Sequence, residues 1–199
     1  EIFAKALISY KKKDFKNAES ICYKILSIDP NHVDSISLLA TLAAINNNFA
    51  KAKKLLLKAI TMQPQNVSIL NNLGSACSEL GNKKEAINNY NKILQINPKH
   101  SNAYYNLGLI FYELKELEKA KSYFEKTIEI QNNYALAFFS LGNVHVDLKN
   151  FDNAISFYQK AIELNPNLLG AHNNLGLVFR ILNDLKNSIN CFEKVIKIK

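Results

Sequence analysis

The stretch Asn71-Asn72-Leu73-Gly74 decides the fold, because the same four letters return at residues 173–176, which is 102 residues or three steps of 34 later. At the intermediate steps, residues 105–108 read YNLG and residues 139–142 read FSLG, so Leu and Gly persist while the letters before them vary. A fixed period of this length is typical of an array of repeated helical or strand-containing units. The sequence therefore predicts a repeat protein rather than one ordinary globular domain.

Two further columns of residues keep the period of 34. A column of small residues consists of Ala18, Ala52, Ala86, Ala120, Ala154 and Ser188, and a column of prolines consists of Pro30, Pro64, Pro98 and Pro166. A small residue lets a neighbouring helix approach closely, and a proline ends a helix because it has no N–H donor and disfavours helical backbone before it. Within residues 67–100, apolar residues recur at spacings of 3, 4 and 7, with an interruption at Gly81-Asn82. Each repeat is therefore predicted to be a pair of amphipathic helices.

These columns together resemble the tetratricopeptide repeat (TPR) family over the whole chain, whose unit is a 34-residue helix-turn-helix. The resemblance implies an all-α fold, a right-handed α-solenoid. The expected solenoid is a single array of about six repeats, at residues 1–32, 33–66, 67–100, 101–134, 135–168 and 169–199. The first-helix Trp of the family is missing, and repeat one departs further, with Lys5 where Leu is expected and Cys22 where an aromatic residue is expected.

The charge of the chain is uneven. The net charge is +8, and residues 1–100 hold 14 lysines and 7 acidic residues, whereas residues 101–199 hold 11 basic and 10 acidic residues. Solvated helix faces explain such an excess, and an acidic partner, a nucleic acid or a membrane surface is the alternative. Nucleic acid is the weakest of these, because it needs basic and aromatic residues repeated along a groove.

The ends of the sequence indicate a piece of a longer chain. It opens at Glu1 without Met and stops at Lys199 inside a periodic helix. We expect the apolar face of the last helix, Lys186 to Lys199, to be covered by a further repeat, a capping helix or a neighbouring copy, which includes self-association. The three cysteines are far apart and on apolar faces, which indicates a reducing compartment. No run of residues is long and apolar enough to span a membrane. We therefore expect a cytoplasmic location, although an upstream targeting segment remains open.

The TPR resemblance implies that first helices line a concave groove that binds an extended peptide or a partner helix. Candidate groove residues are Asn71, Asn72, Asn102, Tyr105, Asn106, Tyr112, Phe139, Asn143, Asn173, Asn174 and Arg180. Asn72, Asn106 and Asn174 share one column, which resembles the asparagine ladder in the TPR arm of O-linked N-acetylglucosamine transferases. Amides at a regular spacing can pair with a peptide main chain. The alternative is that they cap helices, face solvent or bridge adjacent helices.

Two other features share the predicted groove. Glu79, Glu113 and Asp147 form a candidate acidic column, which would favour ligands that carry Lys or Arg. The alternative is that these carboxylates pair with neighbouring lysines such as Lys83, Lys115 or Lys149. The aromatic residues Tyr105, Tyr112 and Phe139 form either a hydrophobic anchor site or half-buried helix packing.

No motif of an enzyme is present in the sequence. The four histidines are tens of residues apart and are expected at helix boundaries or in the core, and no metal-ligand spacing or phosphate-binding loop occurs. We expect no catalysis within this chain, no cofactor and no metal. The predicted function is a protein- or peptide-binding scaffold. One alternative is a substrate-recruiting arm of a larger transferase or other enzyme, which the full reading frame would reveal. A second is an assembly scaffold that uses its convex or terminal faces.

Overall fold

The structure, a computed structural model, describes residues 2–198. Within this range the chain forms twelve α-helices and no strand, which confirms the predicted all-α class. The helices are α1 Ile2–Lys11, α2 Phe15–Ile28, α3 Val33–Ile45, α4 Phe49–Met62, α5 Val67–Glu79, α6 Lys83–Ile96, α7 Ser101–Glu113, α8 Leu117–Ile130, α9 Ala135–Asp147, α10 Phe151–Leu164, α11 Leu169–Ile181 and α12 Leu185–Ile198. Odd-numbered helices are the first helices of their repeats, and even-numbered helices are the second.

A tight turn of three residues joins the two helices of each repeat. Its middle residue has left-handed backbone, for example Asn47 with φ 56° and Gly81 with φ 75°. In repeat two the N–H of Asn48 donates to the carbonyl of Ala43 at 2.8 Å, and the N–H of Asn47 donates to the carbonyl of Ala44 at 2.9 Å. These two bonds satisfy the last carbonyls of the first helix and reverse the chain, so the second helix packs back on the first.

The chain divides into two compact units of three repeats each, one ending at Pro98 and the other beginning at Lys99. In both units the small-residue column lies in the core, since Ala18, Ala52, Ala86, Ala120 and Ala154 are all 0% exposed. In the first unit Cys22, Leu39 and Leu42 pack with Ala18 in one cluster. In the second unit Phe124, Leu141 and Val144 pack with Ala120.

The recurring Leu-Gly pair serves this packing. Leu107 is 0% exposed, and a Cβ atom on Gly108 would lie 2.5 Å from Cε1 of Phe124 on the second helix of the same repeat. Gly142 lies equally close to the Tyr158 ring, and Gly74 lies close to the Tyr90 ring. The glycine column is therefore required because an aromatic ring of the second helix lies directly on the first helix.

Candidate functional site

In the second unit, the predicted groove residues lie on α7, α9 and α11, and α9 packs against both other helices. We call the face that these side chains form the first-helix surface. Asn102, Asn173 and Arg180 are exposed, whereas Tyr105, Asn106, Tyr112, Phe139, Asn143 and Asn174 are half-buried. In the first unit, Asn71 and Asn72 are half-buried on α5. In the half-buried residues most of the side chain packs against neighbouring residues, and only a small part of its surface can contact a ligand.

Asn143 links two repeats through its side-chain oxygen. The Oδ1 atom of Asn143 accepts a hydrogen bond of 2.7 Å from the Tyr158 hydroxyl and one of 2.8 Å from Nδ2 of Asn174. Tyr158 is 1% exposed, so the polar end of this ring is turned towards the first-helix surface inside the protein. Burial raises the pKa of Tyr158, and its hydroxyl therefore stays protonated as the donor. Asn174 is thus held in place by the preceding repeat, which is the bridging alternative for this asparagine.

The other members of the asparagine column have different surroundings. Asn72 borders a small cavity of about 90 Å³ together with Thr41 and Ser75, between α3, α4 and α5. Where the column is interrupted, Ser140 is only 6% exposed and hydrogen-bonds Tyr105 of the neighbouring first helix. The column is therefore a row of polar groups whose partners differ from repeat to repeat.

The three predicted aromatic residues take part in helix packing. The Tyr105 ring lies 5.7 Å from Phe124 and 5.0 Å from Tyr134, measured between ring centroids. The Phe139 ring lies 5.9 Å from Tyr158, and a Cβ atom on Gly170 of the next repeat would be 3.1 Å from its Cζ atom. These rings fill space between helices and leave one edge at the surface.

Asp147, one member of the predicted acidic column, has a lysine and a tyrosine as partners. The Asp147 carboxylate lies 3.4 Å from the Lys115 ammonium and hydrogen-bonds Tyr112, and Lys115 also stands 5.2 Å from the Tyr112 ring centre. Burial and the negative charge of Asp147 raise the pKa of Tyr112 to about 12. Glu79 and Glu113 are exposed. Lys115 therefore neutralises the charge of Asp147, as expected if the acidic column pairs with neighbouring lysines.

The histidines have structural positions. His32 and His100 cap α3 and α7 by accepting a backbone N–H of the first turn, as expected for helix-boundary residues. His145 is 7% exposed, stacks on Phe157 at 5.1 Å, and its Nδ1 atom has no hydrogen-bond partner within the described residues. Burial lowers the pKa of His145, and Lys121 lowers it further, against the smaller opposing effects of Glu125 and Glu118.

Replacing His145 with Phe, the residue that stands one repeat away at Phe111 and Phe179, is expected to reduce the sensitivity to acid. Because the folded-state pKa of His145 is depressed, its neutral form stabilises the fold fully above the unfolded pKa of about 6.5, and that stability is lost as the pH falls. The melting temperature of the variant should therefore drop less than that of the wild type between about pH 7.5 and about pH 5. His100→Asn, which keeps a helix cap, is the matched control and should follow the wild type. Equal drops in all three proteins would contradict the role of His145.

The last helix carries exposed apolar side chains. Leu185, Ile189 and Ile196 of α12 are 58%, 57% and 74% exposed, whereas the residue equivalent to Ile196 in the preceding repeat, Ile162, is partly buried. In the inner repeats of each unit the following first helix packs on this face of the second helix. The face of α12 is therefore an apolar surface without a helix on it in the described residues.

Few side chains in the part of the chain that the structure describes are placed to bind a metal ion or to act as a nucleophile. No three His, Cys, Asp or Glu residues are placed to hold a metal ion there. Cys22, Cys77 and Cys191 are buried free thiols, and burial raises the pKa of each. Among residues 2–198, no helix is long and apolar enough to cross a membrane.

The sequence did not identify Tyr158 as a partner of Asn143. A signal for Tyr158 was present, because Tyr stands there opposite Asn143 where repeat four has Phe124 opposite Leu109. Lys115 was one of three lysines, with Lys83 and Lys149, that the sequence offered as partners of the acidic column.

The chain is similar to several solved TPR proteins. MamA shares 24% identity over 80% of this chain and 93% of that chain, with a TM-score of 0.70. PilF of Pseudomonas aeruginosa shares 20% identity over 99% and 90% of the two chains, with a TM-score of 0.86. YrrB, described as a TPR protein with an unusual peptide-binding site, shares 20% identity over 89% and 92%, with a TM-score of 0.65. At these identities the likeness shows the fold.

Family profiles agree with the fold. Profiles of the tetratricopeptide repeat match residues 67–133, 135–168 and 169–199, and a profile of anaphase-promoting complex, cyclosome, subunit 3 matches residues 11–93. No curated protein sequence matches the chain significantly. The tetratricopeptide matches together cover more than half of the chain, and they coincide with helix pairs that have the expected turn, small-residue column and glycine packing. The chain therefore belongs to the tetratricopeptide repeat family.

Proposed function

We propose that this protein is a scaffold that binds an extended peptide along the first-helix surface, in a way that resembles the asparagine ladder of O-linked N-acetylglucosamine transferases. A TPR fold in general supports a protein-interaction scaffold. The single observation that supports peptide binding most is the row of half-buried asparagines at one column, Asn72, Asn106 and Asn174. A half-buried amide has few rotamers left to lose and keeps a polar edge, so it binds a peptide group at a low cost in entropy.

The bond between Asn143 and Asn174 is compatible with this function. An amide side chain has two donor hydrogens and one acceptor oxygen, and Nδ2 of Asn174 uses one hydrogen on Asn143. Its Oδ1 atom has only a long contact of 3.4 Å with the exposed Asn173 side chain. A bound peptide N–H could replace that contact, while the bond to Asn143 keeps the amide in its orientation.

The surroundings of the column favour a ligand with apolar and basic side chains. The edges of Tyr105 and Phe139 offer apolar contact near Asn106, and aromatic rings dominate the energy of many binding sites. Glu79 is an exposed carboxylate at the end of α5. This charge would attract Lys or Arg and repel acidic peptides.

Changing Asn72, Asn106 and Asn174 to Ala together is expected to weaken peptide binding on the order of 100-fold, because each of the three lost hydrogen bonds is worth roughly 1 kcal/mol. Binding would be measured on a peptide array and then by calorimetry with a selected peptide. The matched control is the triple change of Asn88, Asn153 and Asn190, which are exposed on second helices, to Ala. Unchanged affinity of the first variant, at an unchanged melting temperature, would refute the ladder.

An assembly scaffold is the second candidate, and the exposed apolar face of α12 favours it. Self-association would cover Ile189 and Ile196, as a following first helix does in inner repeats. In that case the asparagine variant would keep its partner, and the mass in light scattering would rise with protein concentration. A substrate-recruiting arm of a larger enzyme uses the same groove, and the full reading frame distinguishes it. The three free thiols support a reducing, cytoplasmic location.

A further inference from the structure

The basic excess of the first unit is concentrated on its second helices. Helices α2, α4 and α6 contain nine lysines and only two acidic residues, Glu19 and Glu85. The first helices of the same unit, from Ile2 onwards, contain two lysines and two acidic residues. Most of the basic excess of this unit therefore lies on its second helices, whereas Asn71 and Asn72 lie on the first helix α5.

Helix α4 forms one ion pair with each of the two neighbouring second helices, α2 and α6. The Lys51 ammonium lies 3.1 Å from the Glu19 carboxylate on α2, and the Lys53 ammonium lies 2.7 Å from the Glu85 carboxylate on α6. Both acidic residues of the three helices are therefore already paired. We call the exposed residues of α2, α4 and α6 the second-helix surface.

Six exposed lysines remain on the second-helix surface, namely Lys16, Lys24, Lys54, Lys58, Lys84 and Lys92. Lys58 donates to the carbonyl of Pro30 at 2.6 Å, which leaves its charge uncompensated. Within residues 2–198 none of the six forms an ion pair. A local excess of this kind repels itself and raises the concentration of anions near the surface.

Two of the three second helices of the second unit lack this excess. Helices α8 and α10 pair their lysines with glutamates three residues away, as in Lys121 with Glu118 at 2.9 Å, Lys126 with Glu129 at 2.8 Å and Lys160 with Glu163 at 2.7 Å. Helix α12 resembles the first unit, because its exposed lysines form no ion pair within residues 2–198. Solubility alone is served by such mixed charges. The first unit lacks them at equivalent helices, so its uncompensated lysines call for a different explanation.

Apolar side chains are interspersed among these lysines. Tyr23 on α2 is 48% exposed and lies beside Lys16 and Lys24, Leu57 on α4 is 45% exposed, and Ile96 on α6 is 41% exposed. Lysines that surround exposed aliphatic and tyrosine side chains are typical of surfaces that settle on the interface of an anionic membrane. Each lysine near such a surface gains attraction, and the apolar side chains enter the headgroup region.

Other polyanions fit this surface less well. Helices α2, α4 and α6 contain no arginine, so the bidentate contact with phosphate or carboxylate that favours nucleic acids and acidic peptides is absent. Tyr23 is the one exposed aromatic residue on them, whereas single-stranded nucleic acid needs a series of stacking rings. Point charges spread over three helices match a fluid surface of lipid headgroups, which needs no fixed geometry.

We propose that the second-helix surface docks the protein onto an anionic lipid bilayer. This inference does not depend on peptide binding, because it uses the second helices of the first unit and not α5, which carries Asn71 and Asn72. The lysines and Tyr23, Leu57 and Ile96 lie at the membrane interface.

The test is co-sedimentation with vesicles of phosphatidylcholine, with and without phosphatidylserine. The protein is expected to bind only the phosphatidylserine-containing vesicles and to dissociate in high salt. Changing Lys54, Lys58 and Lys92 to Gln should lower the partition coefficient on the order of 100-fold, because each lysine contributes about fivefold. Changing the same three lysines to Arg should preserve binding, which separates charge from side-chain identity.

The matched control is Lys119→Gln, Lys126→Gln and Lys160→Gln, which makes the same change in net charge on the second unit. It should bind vesicles within about threefold of the wild type. No binding to phosphatidylserine vesicles, or an equal loss in the control, would overturn the proposal. The proposal would also be overturned if single-stranded RNA or polyglutamate displaced the protein from the vesicles at a concentration of negative charge below that of the lipid. The second-helix surface would then bind that polyanion in preference to a membrane.

Discussion

Replacing Gly108 with Leu is expected to lower the free energy of unfolding by about 3 kcal/mol or more, because it overfills a closely packed site. Even a Cβ atom there would lie 2.5 Å from the Phe124 ring, and that ring is 0% exposed and held among Ala120, Leu141 and Val144. Neither α7 nor the ring can move aside without opening the core of the second unit. The measurement is thermal and urea denaturation followed by circular dichroism.

Gly81→Asn is the matched control for this substitution. Gly81 has φ 75°, but nothing lies within 4 Å of the position of its Cβ atom. Asn tolerates left-handed backbone, and Asn47 and Asn183 adopt it at the equivalent turns with φ 56° and 60°. The control should differ from the wild type by less than about 1 kcal/mol. If Gly108→Leu melted like this control, the close approach of the two helices in repeat four would be wrong.

Replacing Asn143 with Leu is expected to cost about 1 to 3 kcal/mol, because it removes the acceptor of a buried hydroxyl. The Tyr158 hydroxyl donates to Asn143 at 2.7 Å, and Tyr158 is 1% exposed, so water cannot readily replace the lost bond. Asn174 loses a partner as well, but it is only half-buried and can be hydrated. Thermal denaturation measures the cost.

Adding Tyr158→Phe to Asn143→Leu should recover most of that loss. The double variant reproduces the apolar pair of repeat four, in which Leu109 and Phe124 pack in one cluster. A double-mutant cycle should give a coupling of about 1 kcal/mol or more between the two positions. Additive effects of the two substitutions would show that the hydroxyl and the amide do not depend on each other. The same variants also test the candidate peptide site. Without the Asn143 side chain, Asn174 lacks the hydrogen bond that orients its amide for a peptide.

The fold could be predicted from short stretches of sequence. The Leu-Gly column, the small-residue column and the prolines act through backbone conformation and close helix approach, which are the same in every repeat. Residues such as Ala18 and Leu107 are therefore buried where the period placed them. That the six repeats form one continuous array stays a prediction.

The candidate site could be predicted only as a set of positions. The column of Asn72, Asn106 and Asn174 was found because it shares the period, but Asn72 borders a small cavity whereas Asn174 binds Asn143. Ser140 illustrates the limit, since it occupies the same column and is nevertheless 6% exposed beside Tyr105. Whether such a polar group faces solvent or a neighbouring helix depends on side chains one repeat away.

The sequence by itself determined the period of 34, the helix pairs and their turns, because these follow from local backbone preferences and from the need of each repeat to bury one face. Only the tertiary structure decided which polar groups are already satisfied. Asn174 meets Asn143 across 31 residues, and Lys51 meets Glu19 across 32. Such pairs form between neighbouring repeats, where the distance is set by how the helices pack. That packing assigns Asn174 a fixed orientation and leaves the six exposed lysines of the second-helix surface without a carboxylate partner within residues 2–198.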